Sequence, residues 1–132
     1  MTSTQIIEPL YVVDTNALIW WLTNKAKLTS RALRIFEAAE KAQTLLVVSS
    51  ISIAEMYYAN QKNNWFSDFN KVYTMLNSAS YIRLVPFTAK QVLDFNRDAA
   101  VPEMHDRIIA GVARRLSAPL ITSDPLISAA GI

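Results

Sequence analysis

Three carboxylates stand alone in this sequence: Asp14 is the only charged residue between Pro9 and Asn24, Glu55 between Ala42 and Gln61, and Asp124 between Leu116 and Ile132. Carboxylates in apolar surroundings are rare unless paired or bound to an ion, and none of these has a base nearby in sequence. The counter-charge must come from elsewhere in the fold or from a cation. A fourth acid, Asp106, lies in the run Glu103-Met104-His105-Asp106-Arg107-Ile108-Ile109-Ala110. At helical spacing, Ile108, Ile109, Val112, Ala113 and Leu116 share one face, and Arg107, Gly111, Arg114 and Arg115 take the opposite arc. Asp106 falls between them, at the rim of the buried seam.

Four carboxylates gathered in one cleft repel each other and stay ionised together only around cations. A donor set of oxygens alone, without His or Cys, favours a hard ion, Mg²⁺ or Mn²⁺, over zinc. Such an ion suits phosphodiester hydrolysis: it lowers the pKa of a bound water, positions it, and stabilises charge on the phosphate and the leaving oxygen. Each acid also has a plainer role. Asp14 and Asp124 suit helix N-caps, the latter with Pro125 at the first helical position. Glu55 fits a capping box as Ser52-Ile53-Ala54-Glu55. Asp106 could pair with Arg107 or Arg114 on a wet surface. Capping alone does not explain why three acids are isolated in neutral stretches.

Composition removes several other chemistries. The 132 residues include no cysteine, one histidine and two glycines. Disulfides, thiolate zinc sites and a cysteine nucleophile are excluded, as are HExxH and glycine-rich phosphate loops. The absence of cysteine suits a reducing, cytoplasmic setting. The longest apolar run, Ala17–Leu22, is too short to span a bilayer, and Met1–Leu10 lacks the features of a signal peptide. Length and composition predict a single domain over residues 1–132, with the first nine residues frayed. The 13 basic and 11 acidic residues give a net charge of +2, with a sequence pI near 9.0.

The elements that must position the acids alternate. Strands are expected at Leu10–Val13, Thr44–Val48, Tyr81–Val85 and Leu120–Thr122. Helices are expected from Ala17 after the cap Asp14-Thr15-Asn16, over Thr29–Lys41, over Ser50–Gln61 as a buried helix, over Trp65–Ser78, over Thr88–Ala99, from Pro102 to about Leu116, and from Asp124-Pro125. Continuously apolar strands alternating with helices predict an α/β fold: a parallel sheet with helices on both faces. Ligands in such folds bind beyond the carboxyl ends of the strands, where Asp14 and Asp124 stand.

These residues resemble a known family. Val12-Val13-Asp14-Thr15-Asn16-Ala17-Leu18-Ile19-Trp20-Trp21-Leu22 is similar to the opening strand and helix of PIN-domain ribonucleases, particularly the VapC toxin half of VapBC toxin–antitoxin pairs. Ser52–Ala59, His105–Ala110 and Leu120–Asp124 resemble the second, third and fourth acidic motifs, in order across nearly the whole chain. The resemblance implies a three-layer α/β/α sandwich around a parallel sheet. It implies a metal-dependent endoribonuclease in which Asp14, Glu55, Asp106 and Asp124 hold Mg²⁺ or Mn²⁺. It makes Thr122 a supporting hydroxyl, with Ser123 in the same motif and Asn16 a supporting polar residue. It further implies an RNA substrate, a small antitoxin protein as inhibitor, and a homodimer. Relatives continue past a segment like Ala129-Ala130-Gly131 into a final edge strand, whereas this chain stops at Ile132. The expected sheet therefore has four strands, or five with that strand.

Other residues divide between packing and contact. His105 reads as a surface or capping residue, with RNA contact as the alternative. Trp20, Trp21, Tyr57 and Tyr58 read as packing rather than base stacking. Arg107, Arg114 and Arg115 form a basic arc that is either a solvated face or a contact for RNA phosphates or an antitoxin. Lys25, Lys27, Arg31 and Arg34 form a second basic cluster. Two alternatives to a nuclease remain. One is a non-catalytic RNA- or partner-binding module of the same fold. The other is an aspartate-nucleophile phosphatase, disfavoured because position 16 is Asn and the last 17 residues contain no Lys.

Overall fold

A computed structural model describes residues 9–122. Four parallel strands form one sheet: β1 (Leu10–Val13), β2 (Leu45–Ser49), β3 (Ile82–Val85) and β4 (Leu120–Ile121), in the order β3-β2-β1-β4. Leu10 pairs with Leu45, Leu46 with Ile82, and Val13 with Ile121. The helices are α1 (Thr15–Thr23), α2 (Ser30–Glu40), α3 (Ser50–Asn63), α4 (Phe69–Ser78) and α5 (Met104–Leu116), with 3-10 segments at Lys25–Lys27 and Ala89–Asp98.

The strand order dictates the layers. From β1 to β2 to β3 the chain moves one way across the sheet, then returns past β1 to β4. Parallel crossovers are right-handed, so reversing direction moves the connecting helix to the opposite face. The side chains confirm this. Val13, Leu46 and Val48 point into one core with Leu18 and Trp21 of α1, Phe36 of α2, Met56 of α3 and Leu76 of α4. Their neighbours Val12 and Val47 point into a second core with Ile109, Val112 and Ala113 of α5. Alternate residues of one strand thus serve two cores. The result is the expected three-layer α/β/α sandwich, with a four-stranded parallel sheet among the described residues.

Local differences from the sequence-based boundaries have physical causes. β2 starts at Leu45, whose backbone N–H opens the ladder by donating to the Pro9 carbonyl at 2.9 Å, while the Thr44 hydroxyl donates to the same carbonyl at 2.6 Å. The helix expected from Trp65 starts at Phe69. Asn64, left-handed at φ 52°, ends α3. The Asn60 side chain then clamps the loop, accepting from Phe66 N at 2.8 Å and donating to Phe66 O at 3.0 Å. α5 starts at Met104, since Glu103 is its cap and accepts from Asp106 N at 2.8 Å. The α3 helix is not buried all round: only Ser52 and Met56 are, while Tyr57 is 44% and Tyr58 69% exposed. Segment 89–98 is wound as a 3-10 helix. Leu93 is 78% exposed there. The segment is tied to α5 by ion pairs rather than by an apolar stripe, so nothing enforces α-helical spacing. Among the described residues, no helix is long and apolar enough to cross a membrane.

Candidate active site

β1 leaves the sheet between β2 and β4, where strand order reverses. This is the switch point at which open α/β sheets bind ligands. Asp14 is the next residue. Its backbone is extended, and its Oδ1 accepts from Ala17 N at 2.8 Å, so it caps α1. The capping role and a role in a site coexist: Asp14 is only 5% exposed, yet lines a cavity of about 220 Å³. The positive end of α1 favours the ionised carboxylate there.

The same cavity is lined by Thr15, Asn16 and Ile19 of α1, Glu55 and Ala59 of α3, and Asp106 of α5. Carboxylates from three separate elements therefore share one pocket, with no lysine or arginine in its described lining. Glu55 does not form the capping box that its sequence allows. Ser49 is the cap of α3, accepting from Ile51 N at 3.2 Å, and Ser52 is already inside the helix. Glu55 instead accepts from the Thr15 hydroxyl, Oγ1 to Oε1 2.5 Å. Ser52 Oγ lies 3.0 Å from the same Thr15 oxygen. The single Thr15 proton goes to the carboxylate, so Ser52 is the donor to Thr15.

His105, the second residue of α5, also belongs to this cluster. Its Nδ1 lies 2.9 Å from Glu103 Oε1 and 3.6 Å from Glu55 Oε2. Thr15 was not singled out in the sequence. The available signal was the three-residue spacing of Ser52 and Glu55, which puts both on one face of α3 for a neighbour to meet.

The remaining candidates are placed as follows. Asn16 is exposed at the pocket's edge. Thr122 is half-buried just after β4. Ser123 and Asp124, together with the helix expected from Asp124, lie outside the described residues. The three arginines engage other partners. Arg107 Nε donates to the Val101 carbonyl at 2.8 Å. Arg114 Nε and Nη2 donate to Asp98 at 2.8 and 3.2 Å. Arg115 Nη1 donates to Asp94 at 3.3 Å. Trp21 is buried and stacked on Phe36, with centroids 4.9 Å apart, and Lys27 stands over Trp20 at 5.8 Å. Both tryptophans therefore serve as packing surfaces.

Among the described residues, no three acid or histidine side chains lie close enough together to enclose an ion. The chemistry of the set still fits one: carboxylate oxygens from three elements lining one pocket suit a hard divalent cation.

Fold and pocket together define a class: a doubly covered parallel sheet with an acidic pocket at its switch point. The chain belongs to the PIN domain family, whose model matches residues 11–131. Curated protein sequences give no match. Solved structures of similar fold include the Mycobacterium tuberculosis toxin VapC20, described as cleaving the sarcin-ricin loop, at 16% identity and TM-score 0.67, covering 92% of this chain and 95% of that one. FitAcB from Neisseria gonorrhoeae matches at 18% identity and TM-score 0.62, covering 92% and 94%. VapBC2 from Rickettsia felis, bound to a promoter DNA fragment, matches at 21% identity and TM-score 0.61, covering 87% of each chain.

Proposed function

We propose that this protein is a divalent-metal-dependent endoribonuclease and the toxin of a toxin–antitoxin pair. The observation that carries the reading is the convergence of Asp14, Glu55 and Asp106 from three elements on one pocket at the switch point. Asp14, Glu55, Asp106 and Asp124 would hold Mg²⁺ or Mn²⁺, which when bound supplies an activated water and neutralises charge on the scissile phosphate. The chain's own contribution is placement. The α1 N-terminus fixes Asp14, and Asn16 stands exposed at the pocket edge. Thr122 and Ser123 would support the fourth acid, as the family resemblance implies.

Charge distribution supports an RNA substrate. If four of the 11 acids serve the pocket, the rest of the molecule carries 13 basic residues against 7 acids, a balance of +6. Such a surface attracts phosphate chains. The solved structures of similar fold include a toxin described as cleaving the sarcin-ricin loop and a VapBC assembly. They support a small antitoxin as partner, and a homodimer acting in the cytoplasm accords with the same reading. Arg107, Arg114 and Arg115 would meet RNA only with their outer faces, given their internal partners.

The test is RNA-end mapping after incubation of the purified protein with structured RNA and Mg²⁺ or Mn²⁺. Cleavage that stops with chelator and in Asp14→Asn is the expected result. An Asp14→Asn variant that cuts as fast as wild type overturns the assignment. Binding of RNA or antitoxin without cleavage would identify a non-catalytic module.

A further inference from the structure

Two residues flank the Glu55 carboxylate, one at each oxygen. Thr15 Oγ1, on α1, donates to Oε1 at 2.5 Å. His105 Nδ1, on α5, stands 3.6 Å from Oε2. Each is anchored in turn. Thr15 accepts from Ser52, which is fully buried. His105 lies 2.9 Å from Oε1 of Glu103, whose Oε2 accepts from the Asp106 backbone and so caps α5. Each is also the sequence neighbour of another pocket acid, Thr15 following Asp14 and His105 preceding Asp106. At both points one residue offers a carboxylate to the pocket while its neighbour addresses the carboxylate of α3.

We infer that Thr15 and His105 are positioning residues for Glu55, locking its carboxylate into a fixed relation with Asp14 and Asp106. This rests on the reading of the pocket as a metal site. A glutamate has three side-chain torsions, and this one is about a third exposed. Left alone it would sample several rotamers, and an ion binding it would have to order it first. The Thr15 hydrogen bond restrains one oxygen, and the His105 ring, itself held by Glu103, stands against the other, so part of that ordering is done in advance. Partners of this kind, one step removed from the ion, typically change metal affinity by about 10- to 100-fold.

The experiment compares wild type with Thr15→Val, Thr15→Ser, His105→Leu and His105→Gln. Calorimetry with Mn²⁺ alone gives affinity, and crystal structures without metal give the Glu55 rotamer. Thermal melts show whether each variant folds. Thr15→Val keeps the β-branched shape and loses the hydroxyl. It is expected to weaken Mn²⁺ binding about tenfold and to release the Glu55 rotamer, while Thr15→Ser stays within about threefold of wild type. His105→Leu is expected to behave like Thr15→Val, and His105→Gln to recover part of the loss. If Thr15→Val and His105→Leu fold, keep the wild-type Glu55 rotamer and bind Mn²⁺ normally, the inference is overturned. If wild type binds no Mn²⁺, the metal-site reading fails, and the Glu55 rotamers alone decide the positioning role.

Discussion

Asp98 and Arg114 form a two-point ion pair, with Nε on Oδ1 at 2.8 Å and Nη2 on Oδ2 at 3.2 Å, and the Asp98 side chain is 3% exposed. The pair ties the 3-10 segment 89–98 to α5. It passes close to Gly111, where a Cβ would stand 3.2 Å from Asp98 Oδ2 and 3.1 Å from Arg115 Nη1. A larger residue at 111 would press on both, so a glycine lets the two elements approach.

Asp98→Ala leaves the Arg114 guanidinium without its main partner and should destabilise the fold by about 2–4 kcal/mol in urea unfolding. Residual cleavage at permissive temperature should remain, because Asp98 does not line the pocket. The hydrogen bonding of Arg114 to the Asp98 carboxylate, which accepts from it, raises the Arg114 pKa above its ordinary value. The stabilisation is therefore fully present below that ordinary value and is lost only as pH rises through the raised one. The guanidinium side of the pair should hold through mildly alkaline buffers.

At Asp14 the cap and the site can be separated. Asn is as good a cap as Asp, so Asp14→Asn should unfold within about 0.5 kcal/mol of wild type, while Asp14→Ala should lose about 1 kcal/mol. Both should lower cleavage by at least about a hundredfold, the scale for removing one preorganised electrostatic group. Equal stability losses for the two variants would deny Asp14 its capping role.

Tyr81 offers an alkaline probe. Burial, then the nearby charge of Glu40, raises its pKa above the ordinary 10.0. The folded state keeps the phenol neutral to higher pH than the unfolded chain does. The contribution is thus complete below pH 10.0 and is lost as pH rises through the folded value. Denaturation midpoints from pH 9 upward should fall less steeply in Tyr81→Phe than in wild type.

Phe36 is fully buried and stacked on Trp21. Phe36→Ala should cost about 3–5 kcal/mol by equilibrium unfolding. It should also alter Trp fluorescence, because the stacked partner is removed.

How much of this was legible follows from the kind of signal each feature leaves. The strands could be read because a sheet covered on both faces makes each strand a continuous apolar run, as in Leu46-Val47-Val48. The layer order could not, since Val12 and Val13 are alike in type yet belong to different cores. Asp14, Glu55 and Asp106 were legible as acids in neutral or seam positions. Asp98 was not, although it is as buried as Asp14. It stands next to Arg97 in sequence and so lacks the isolation that marks Asp14 and Glu55. The exposed tyrosines on α3 misled in the opposite sense, because aromatic content alone does not say which side faces water. Thr15 and His105 acquire meaning only when α1, α3 and α5 meet.

The reversal of strand order has a consequence for how the protein is made. Asp14 and Glu55 come from the layer built on β1, β2 and their helices, and Asp106 comes from α5 in the opposite layer, later in the chain than both. A ribosome that has made α3 and not yet α5 has produced two of the pocket's described carboxylates and not the third. The pocket is completed only when α5 docks on the opposite face of the sheet, so a growing chain has no complete pocket until α5 has been made.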